Sequence, residues 1–194
     1  MSIESEYVWK VVVVGDGGVG KTTLVFRYMK NLWIPNLKET IGAEFHSKIV
    51  EYKGHKINMV LWDIAGQEKF KDVRKEHIRG CDCAIVMYDM TRMNTLFNVP
   101  MWVEMIRESS SSNAPILLVG GKYDAFFFTE NETTNDKERK LLDDDFKKVK
   151  KAAEVIKEKL KLNGAIITSS KTGENVSETI LYAIDLIAYN YGFW

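Results

Sequence analysis

Apolar residues in this chain gather into short runs separated by amphipathic stretches. VWKVVVVG (8–15) is continuous and rich in β-branched residues, the pattern of a strand buried on both faces. EFHSKIVEY (44–52) and KINMVLWDI (56–64) read as two strands joined by Lys53-Gly54-His55, a predicted hairpin. CAIVMYDM (83–90), PILLVG (115–120) and AIITSS (165–170) are three more strand-sized runs. KTTLVFRYMK (21–30) reads as a helix, with further helical stretches near 68–79 and 94–109. The clearest helix covers 141–161, where Leu142, Phe146, Val149, Ala153, Ile156 and Leu160 repeat at spacings of four and three. Val176, Ile180, Ile184 and Ile187 form the same kind of stripe in the last helix. Alternating strands and helices predict an α/β chain with a mainly parallel six-stranded sheet and helices on both faces. Such sheets bind ligands in loops at the carboxyl ends of their strands.

The polar stretch TENETTNDKERK (129–140) reads as a surface loop, and SSSS (109–112) as a short connection rather than a boundary. A chain of 194 residues is expected to form one domain, 1–194. Its 27 basic and 27 acidic residues balance, so the charge gives no reason to expect nucleic acid as a partner. No apolar run is long enough to span a membrane. MSIESEYVWK has no basic stretch before an apolar core, so no signal peptide is expected, and Ser2 excludes the usual myristoylation signal. The lysine-rich KKVKKAAEVIKEKLK (147–161) reads as the solvated face of an amphipathic helix. If CDCAIVMY is a strand, Cys81 and Cys83 share one face and are poorly placed to pair; both are expected to be reduced, buried small residues.

One stretch changes the picture. Gly15-Asp16-Gly17-Gly18-Val19-Gly20-Lys21-Thr22 fits G-x-x-x-x-G-K-[ST], with a strand before it and a helix after it. Glycines let the backbone wrap closely, so that successive N–H groups face phosphate oxygens, and the helix start adds partial positive charge. Lys21 is expected to reach the β- and γ-phosphates and the Thr22 hydroxyl to bind Mg²⁺, with Asp16, Gly17, Gly18, Val19, Gly20 and Thr23 around the nucleotide. The motif does not choose between ATP and GTP, or between a kinase and a hydrolase. A second site narrows it. In Trp62-Asp63-Ile64-Ala65-Gly66-Gln67-Glu68, Asp63 ends an apolar strand, where an acid near a phosphate loop holds Mg²⁺. Gly66 offers a backbone N–H to a γ-phosphate, and Gln67 has the donor and acceptor needed to orient a water for in-line attack.

GDGGVGKTTL, ETIGAEF, WDIAGQEKF, GGKYD and TSSKTGENV occur in the order and spacing of the Ras superfamily of small GTPases, and the chain resembles its Rab-like members from about Tyr7 to Ile187. The resemblance implies the P-loop NTPase fold of small GTPases, GTP and GDP with Mg²⁺ as ligands, and hydrolysis that is slow without an activating protein. It implies that Thr40 binds Mg²⁺ and the γ-phosphate, giving Thr22, Thr40 and Asp63 as the metal set and Gln67, Lys21 and Thr40 as the catalytic set. Trp33 falls where the family usually has phenylalanine against the guanine edge. Lys122, Asp124, Ser169, Ser170 and Lys171 complete the implied base pocket. Gly17 is small where bulkier residues abolish hydrolysis in the family. Exchange factor, activating protein and effectors are expected at the two switch loops, around Thr40 and Gly66, on a monomeric chain. No arginine lies inside the motifs, and Arg74 and Arg79 are expected at the surface.

Two departures stand out. Asn190-Tyr191-Gly192-Phe193-Trp194 holds no cysteine to prenylate, and no basic residue follows Lys171, so no lipid anchor is visible. Either the protein is a soluble, cytoplasmic member that meets membranes through partners, or the chain is truncated. In GGKYD the family pattern is Asn-Lys-x-Asp: Lys122 and Asp124 fit, whereas Gly121 lacks the asparagine amide that would contact the base and tie neighbouring loops. Restoring asparagine at 121 is expected to slow GDP release. Two rival readings remain at this stage. One is a nucleotide-locked interaction module with little hydrolysis. The other is a small kinase, for which the chain shows neither an acceptor site nor an arginine-rich lid.

Overall fold

Strand β1 (Tyr7–Val14) alternates its valines between two cores, and the whole architecture follows from that alternation. Val11 and Val13 enter one core; Val12 and Val14 enter the other. A computed structural model describes residues 6–35, 37, 40–67, 71–110, 113–126 and 136–193, the side chains of 71–73 and 136–139 excepted. Around β1 run α1 (Lys21–Lys30), β2 (Ala43–Tyr52), β3 (His55–Ile64), α2 (Lys71–Ile78), β4 (Cys83–Asp89), α3 (Met93–Phe97), α4 (Val99–Ser109), β5 (Ile116–Gly121), a 3₁₀ turn (Tyr123–Phe126), α5 (Asp136–Lys159), β6 (Gly164–Ile167) and α6 (Val176–Asn190). The six strands lie in the order β2-β3-β1-β4-β5-β6; β2 pairs antiparallel with β3, and every other pair is parallel. Leu24 and Val25 of α1 join Ile180, Ile184 and Ile187 of α6 on one face. Residues of α2, α3, α4 and α5, among them Ile78, Leu96, Trp102 and Val149, cover the other. The predicted sheet with helices on both faces is the one observed.

Several boundaries differ, each for a local reason. The hairpin turn is two residues, Lys53-Gly54, because Tyr52 already pairs with His55. Both turn residues have positive φ, 49° and 84°, which suits the twist of the flanking strands. The helical stretch predicted at 94–109 is two helices broken at Asn98, since Pro100 sits in the first turn of α4 and cannot continue a helix from α3. Helix α5 begins at Asp136, not 141, so the predicted loop at 129–140 is helical over its last five residues. Those five, DKERK, include good helix formers but carry no apolar stripe to reveal them. The rest of that loop, residues 68–70 of the stretch before α2, and 111–112 of the serine run lie outside the described residues. The cysteines do not share a face: Cys81 precedes β4 and enters the α2–α5 core, while Cys83 enters the other. Both are buried and free.

Gly54 tests the hairpin cleanly, because a Cβ there meets nothing within 4 Å and its φ is +84°. Alanine at 54 isolates backbone strain and is expected to destabilise the fold by about 1–2 kcal/mol in urea unfolding.

Candidate functional site

Parallel pairing of β1 with β3 sets Val13 opposite Asp63, so the loops leaving both strands emerge side by side. After β1 the chain turns through Gly15, Gly18 and Gly20, all at positive φ, and enters α1 at Lys21. Gly15 has no room for a side chain: a Cβ would lie 2.1 Å from the Met87 carbonyl oxygen of β4. The loop and the N-terminus of α1 open on a cavity of about 360 Å³. Gly17, Gly18, Gly20, Lys21, Thr22 and Thr23 form one wall. Thr40, Ala65, Gly66, Gln67 and Lys122 contribute to the others, so four separated segments predicted from sequence meet here. Val19 does not line the cavity; its side chain is buried in the core.

The Lys21 ammonium donates to the carbonyls of Gly15 and Asp16, at 2.9 Å each, and is itself buried. Burial pushes it down to about 8 from an ordinary value of 10.5; Asp63 and Asp16 pull it back up, while Arg74 and Arg92 press it lower. Next to it three oxygens converge. Thr22 Oγ1 donates to Asp63 Oδ2 at 2.5 Å, Thr40 Oγ1 donates to the same oxygen at 2.9 Å, and the two hydroxyls lie 2.8 Å apart. Asp63 Oδ1 is buried with no hydrogen-bond partner. An octahedron with metal–oxygen lengths of about 2.0–2.1 Å has edges of about 2.9 Å, so the two hydroxyls 2.8 Å apart, with the carboxylate behind them, suit a small divalent cation.

Gly66 presses on the phosphate loop. A Cβ at 66 would come within 2.4–2.7 Å of Gly15 and Asp16 backbone atoms. The peptides on either side are tied too. Ala65 N–H donates to Gly42 O at 2.8 Å, and Arg74 donates to Ala65 O at 3.1 Å and to Gln67 O. Arg74 is therefore not a surface residue as the sequence predicted; it is 1% exposed and lies over the Trp102 ring, 4.7 Å from its centroid. A signal for this was available, since Arg74 is four residues before the buried Ile78 and shares its face of α2. Trp102 Nε1–H in turn donates to Asp16 Oδ1 and Asn98 Nδ2 donates to Oδ2, at 2.8 and 2.7 Å. The Asp16 carboxylate is thus taken up by Asn98 and Trp102, and its carbonyl by Lys21.

Asp89, at the buried end of β4, is a second residue that sequence reading missed; the signal was the one that picked out Asp63, an acid closing an apolar strand. Lys122 and Arg92 both bond its Oδ2, at 2.7 and 2.8 Å, and Arg92 also donates to Gly17 O. Burial by itself would raise the Asp89 carboxyl, but bonds from Lys122, Thr91 and Arg92 more than offset it, and the net is below the ordinary value. Lys122 thereby links the cavity to the base-side group. There Ser169 Oγ donates to Asp124 Oδ1 at 2.6 Å, Ser169 and Ser170 are buried, and the Lys171 ammonium lies 5.8 Å over the half-exposed Trp33 ring. Gly121 ends β5 beneath them. A Cβ on it would lie 2.5 Å from Met87 Cε and 3.1 Å from Val19 O, so the Met87 methyl occupies the place of a side chain at 121.

The Ras family profile matches residues 10–188. The chain is 33% identical to the Ras-related protein Rab-19 of Rattus norvegicus over 186 residues, covering 95% of this chain and 78% of that protein. It is 40% identical to RABA5c of Arabidopsis thaliana over 119 residues (61% and 56% of the two chains) and 36% identical to Rab-11A of Dictyostelium discoideum over 135 (70% and 63%). With the fold, the phosphate loop and the two facing loops in place, the chain belongs to the Ras family of small GTPases, Rab-like switches that bind GTP and GDP with Mg²⁺ and hydrolyse the one to the other.

Proposed function

We propose that residues 1–194 act as a single domain in which GTP pulls the loops around Thr40 and Gly66 onto the phosphate loop and hydrolysis releases them. The convergence of Thr22, Thr40 and Asp63 oxygens carries this reading, because it joins the phosphate loop, the first switch and the end of β3 at one point. In this reading Thr22 and Thr40 hold Mg²⁺ directly, Asp63 holds it through water, and Lys21 leaves the Gly15 and Asp16 carbonyls for the phosphate oxygens. Bound Mg²⁺ would draw charge from the β- and γ-phosphates. Gln67 orients a water toward the γ-phosphorus as the bond to the β–γ bridging oxygen breaks, and Gly66 N–H holds a γ-oxygen. Asp124 accepts from the guanine ring N–H and amino group, Lys122 lies along the base, Trp33 covers its edge, and Ser170 N–H meets its oxygen beside Ser169 and Lys171.

Exchange factor, activating protein and effectors are proposed to bind at the switch loops. Ile41 and Phe45, 78% and 67% exposed beside Thr40, supply apolar area for them. No described helix is long and apolar enough to cross a membrane. We place the protein in the cytoplasm, peripheral to membranes through its partners.

Gln67→Leu tests the hydrolytic reading. Single-turnover hydrolysis of preloaded GTP is expected to fall at least about tenfold with GTP affinity within about twofold, and an unchanged rate would overturn it.

Lys21 gives the site a pH signature. Burial holds its pKa at about 8, below the ordinary 10.5, so above pH 8 it is mostly neutral until phosphate oxygens join it. Phosphates restore its charge. GDP binding therefore takes up a proton above about pH 8, and affinity falls as pH rises from there toward 10. Calorimetry in two buffers of different ionisation enthalpy is expected to show clear proton uptake at pH 8.5 and little at pH 7.

At Gly121 the restored amide needs room. Gly121→Asn alone is expected not to slow GDP release, because its Cβ meets the Met87 methyl. Adding Met87→Val is expected to slow release several-fold to tenfold, the worth of one recovered neutral hydrogen bond. Stopped-flow release of a fluorescent GDP separates the two variants.

A further inference from the structure

A buried guanidinium needs a reason, because taking a charge out of water is costly unless it is well bonded. Arg74 Nε and Nη2 are engaged by two carbonyls of the second switch, Ala65 and Gln67, and its plane lies over Trp102. Between those carbonyls is Gly66, whose backbone touches Gly15 and Asp16. Trp102 is itself fixed by donating to Asp16 in the phosphate loop. Arg74 is not among the residues lining the phosphate cavity; it lines an adjoining hollow with Asp16, Gly17 and Gly66.

We propose that Arg74 is a positioning residue for hydrolysis: by gripping the carbonyls on both sides of Gly66 it fixes the backbone from which the Gln67 side chain is aimed at the γ-phosphate. The proposal rests on the reading of Gln67 given above. The guanidinium fork suits this task, since two side-by-side donors in one plane set the orientation of two carbonyls together. Trp102 and Asp16 act as the backstop, so the grip is referenced to the phosphate loop rather than to solvent. Arg74 acts through Gln67 and makes no bond to the nucleotide.

A double-mutant cycle on single-turnover hydrolysis tests this, with GDP release and thermal midpoint followed in parallel. Arg74→Ala is expected to slow hydrolysis about tenfold or more while GDP release stays within about twofold. Combined with Gln67→Leu it is expected to add almost nothing, because the group it aims is gone. Arg74→Lys, which keeps the charge and packing stem but loses the planar fork, is the second variant should alanine impair folding; it is expected to give a smaller loss with the same non-additivity. Wild-type hydrolysis in both Arg74 variants overturns the proposal. So does an Arg74 effect that multiplies with that of Gln67→Leu, or one matched by equally faster GDP release. If Gln67→Leu by itself leaves hydrolysis unchanged, the reading of Gln67 falls and takes this proposal with it. A slow Gln67→Leu beside fully active Arg74 variants sinks only the role of Arg74.

Discussion

Backbone meets backbone where Gly66 rests on Gly15 and Asp16, and the rest of the site hangs from that joint. No side chain fits there, so the second switch approaches the phosphate loop more closely than any other residue type permits. The joint exists because β1 and β3 run parallel with Val13 opposite Asp63, which delivers both loops to the same end of the sheet. It reaches the first switch as well, since Ala65 N–H bonds Gly42 O just beyond Thr40. A ligand that engages Thr40, Gly66 and Lys21 together therefore pulls on one connected backbone path. Losing the γ-phosphate removes the pull at its centre.

Charge in the site is concentrated around the phosphate loop. Lys21, Arg74, Arg92 and Lys122 crowd the loop, and each that the geometry resolves bonds to carbonyls or to Asp89. This keeps the cations in place without phosphate, but at different cost. Bonds from Lys122, Thr91 and Arg92 stabilise the Asp89 carboxylate enough to overcome its burial. Lys21 bonds to neutral carbonyls, and burial lowers its pKa by more than Asp63 and Asp16 raise it. Its attraction for phosphate is accordingly the one most sensitive to pH.

How much of this was legible in the sequence depended on whether a residue acts through a local pattern. The strands, the phosphate loop and the DxxGQ segment are contiguous, and periodicity or spacing exposed them. Thr22 and Asp63 were read as Mg²⁺ residues from their own motifs, and only Thr40 came from the family resemblance, since nothing local joins it to them. Arg74, Asp89, Arg92 and Trp102 escaped because each acts through a partner distant in sequence; Trp102 and Asp16 are 86 residues apart. The break at Asn98 was readable from Pro100, but its consequence, an amide aimed at Asp16, was not. At α5 the error came from equating polarity with a loop, although charged residues such as Lys, Glu and Arg hold helices well without an apolar stripe.

At Gly121 the chain departs from the family pattern. In the proposed reading two jobs meet there: holding the base loop to the phosphate loop, and orienting the group that reads guanine. Met87 takes over the first as an apolar contact, its methyl lying between Gly121 and the loop at Gly20. Such contacts have no preferred direction, whereas an amide would fix both distance and angle. The second job does not depend on position 121 at all. Ser169 holds Asp124 by one carboxylate oxygen and leaves the other for a ligand, while Lys122 is anchored on Asp89. The glycine should therefore loosen the grip on nucleotide without changing which base is chosen, because the group that chooses is oriented from β6 and not from β5.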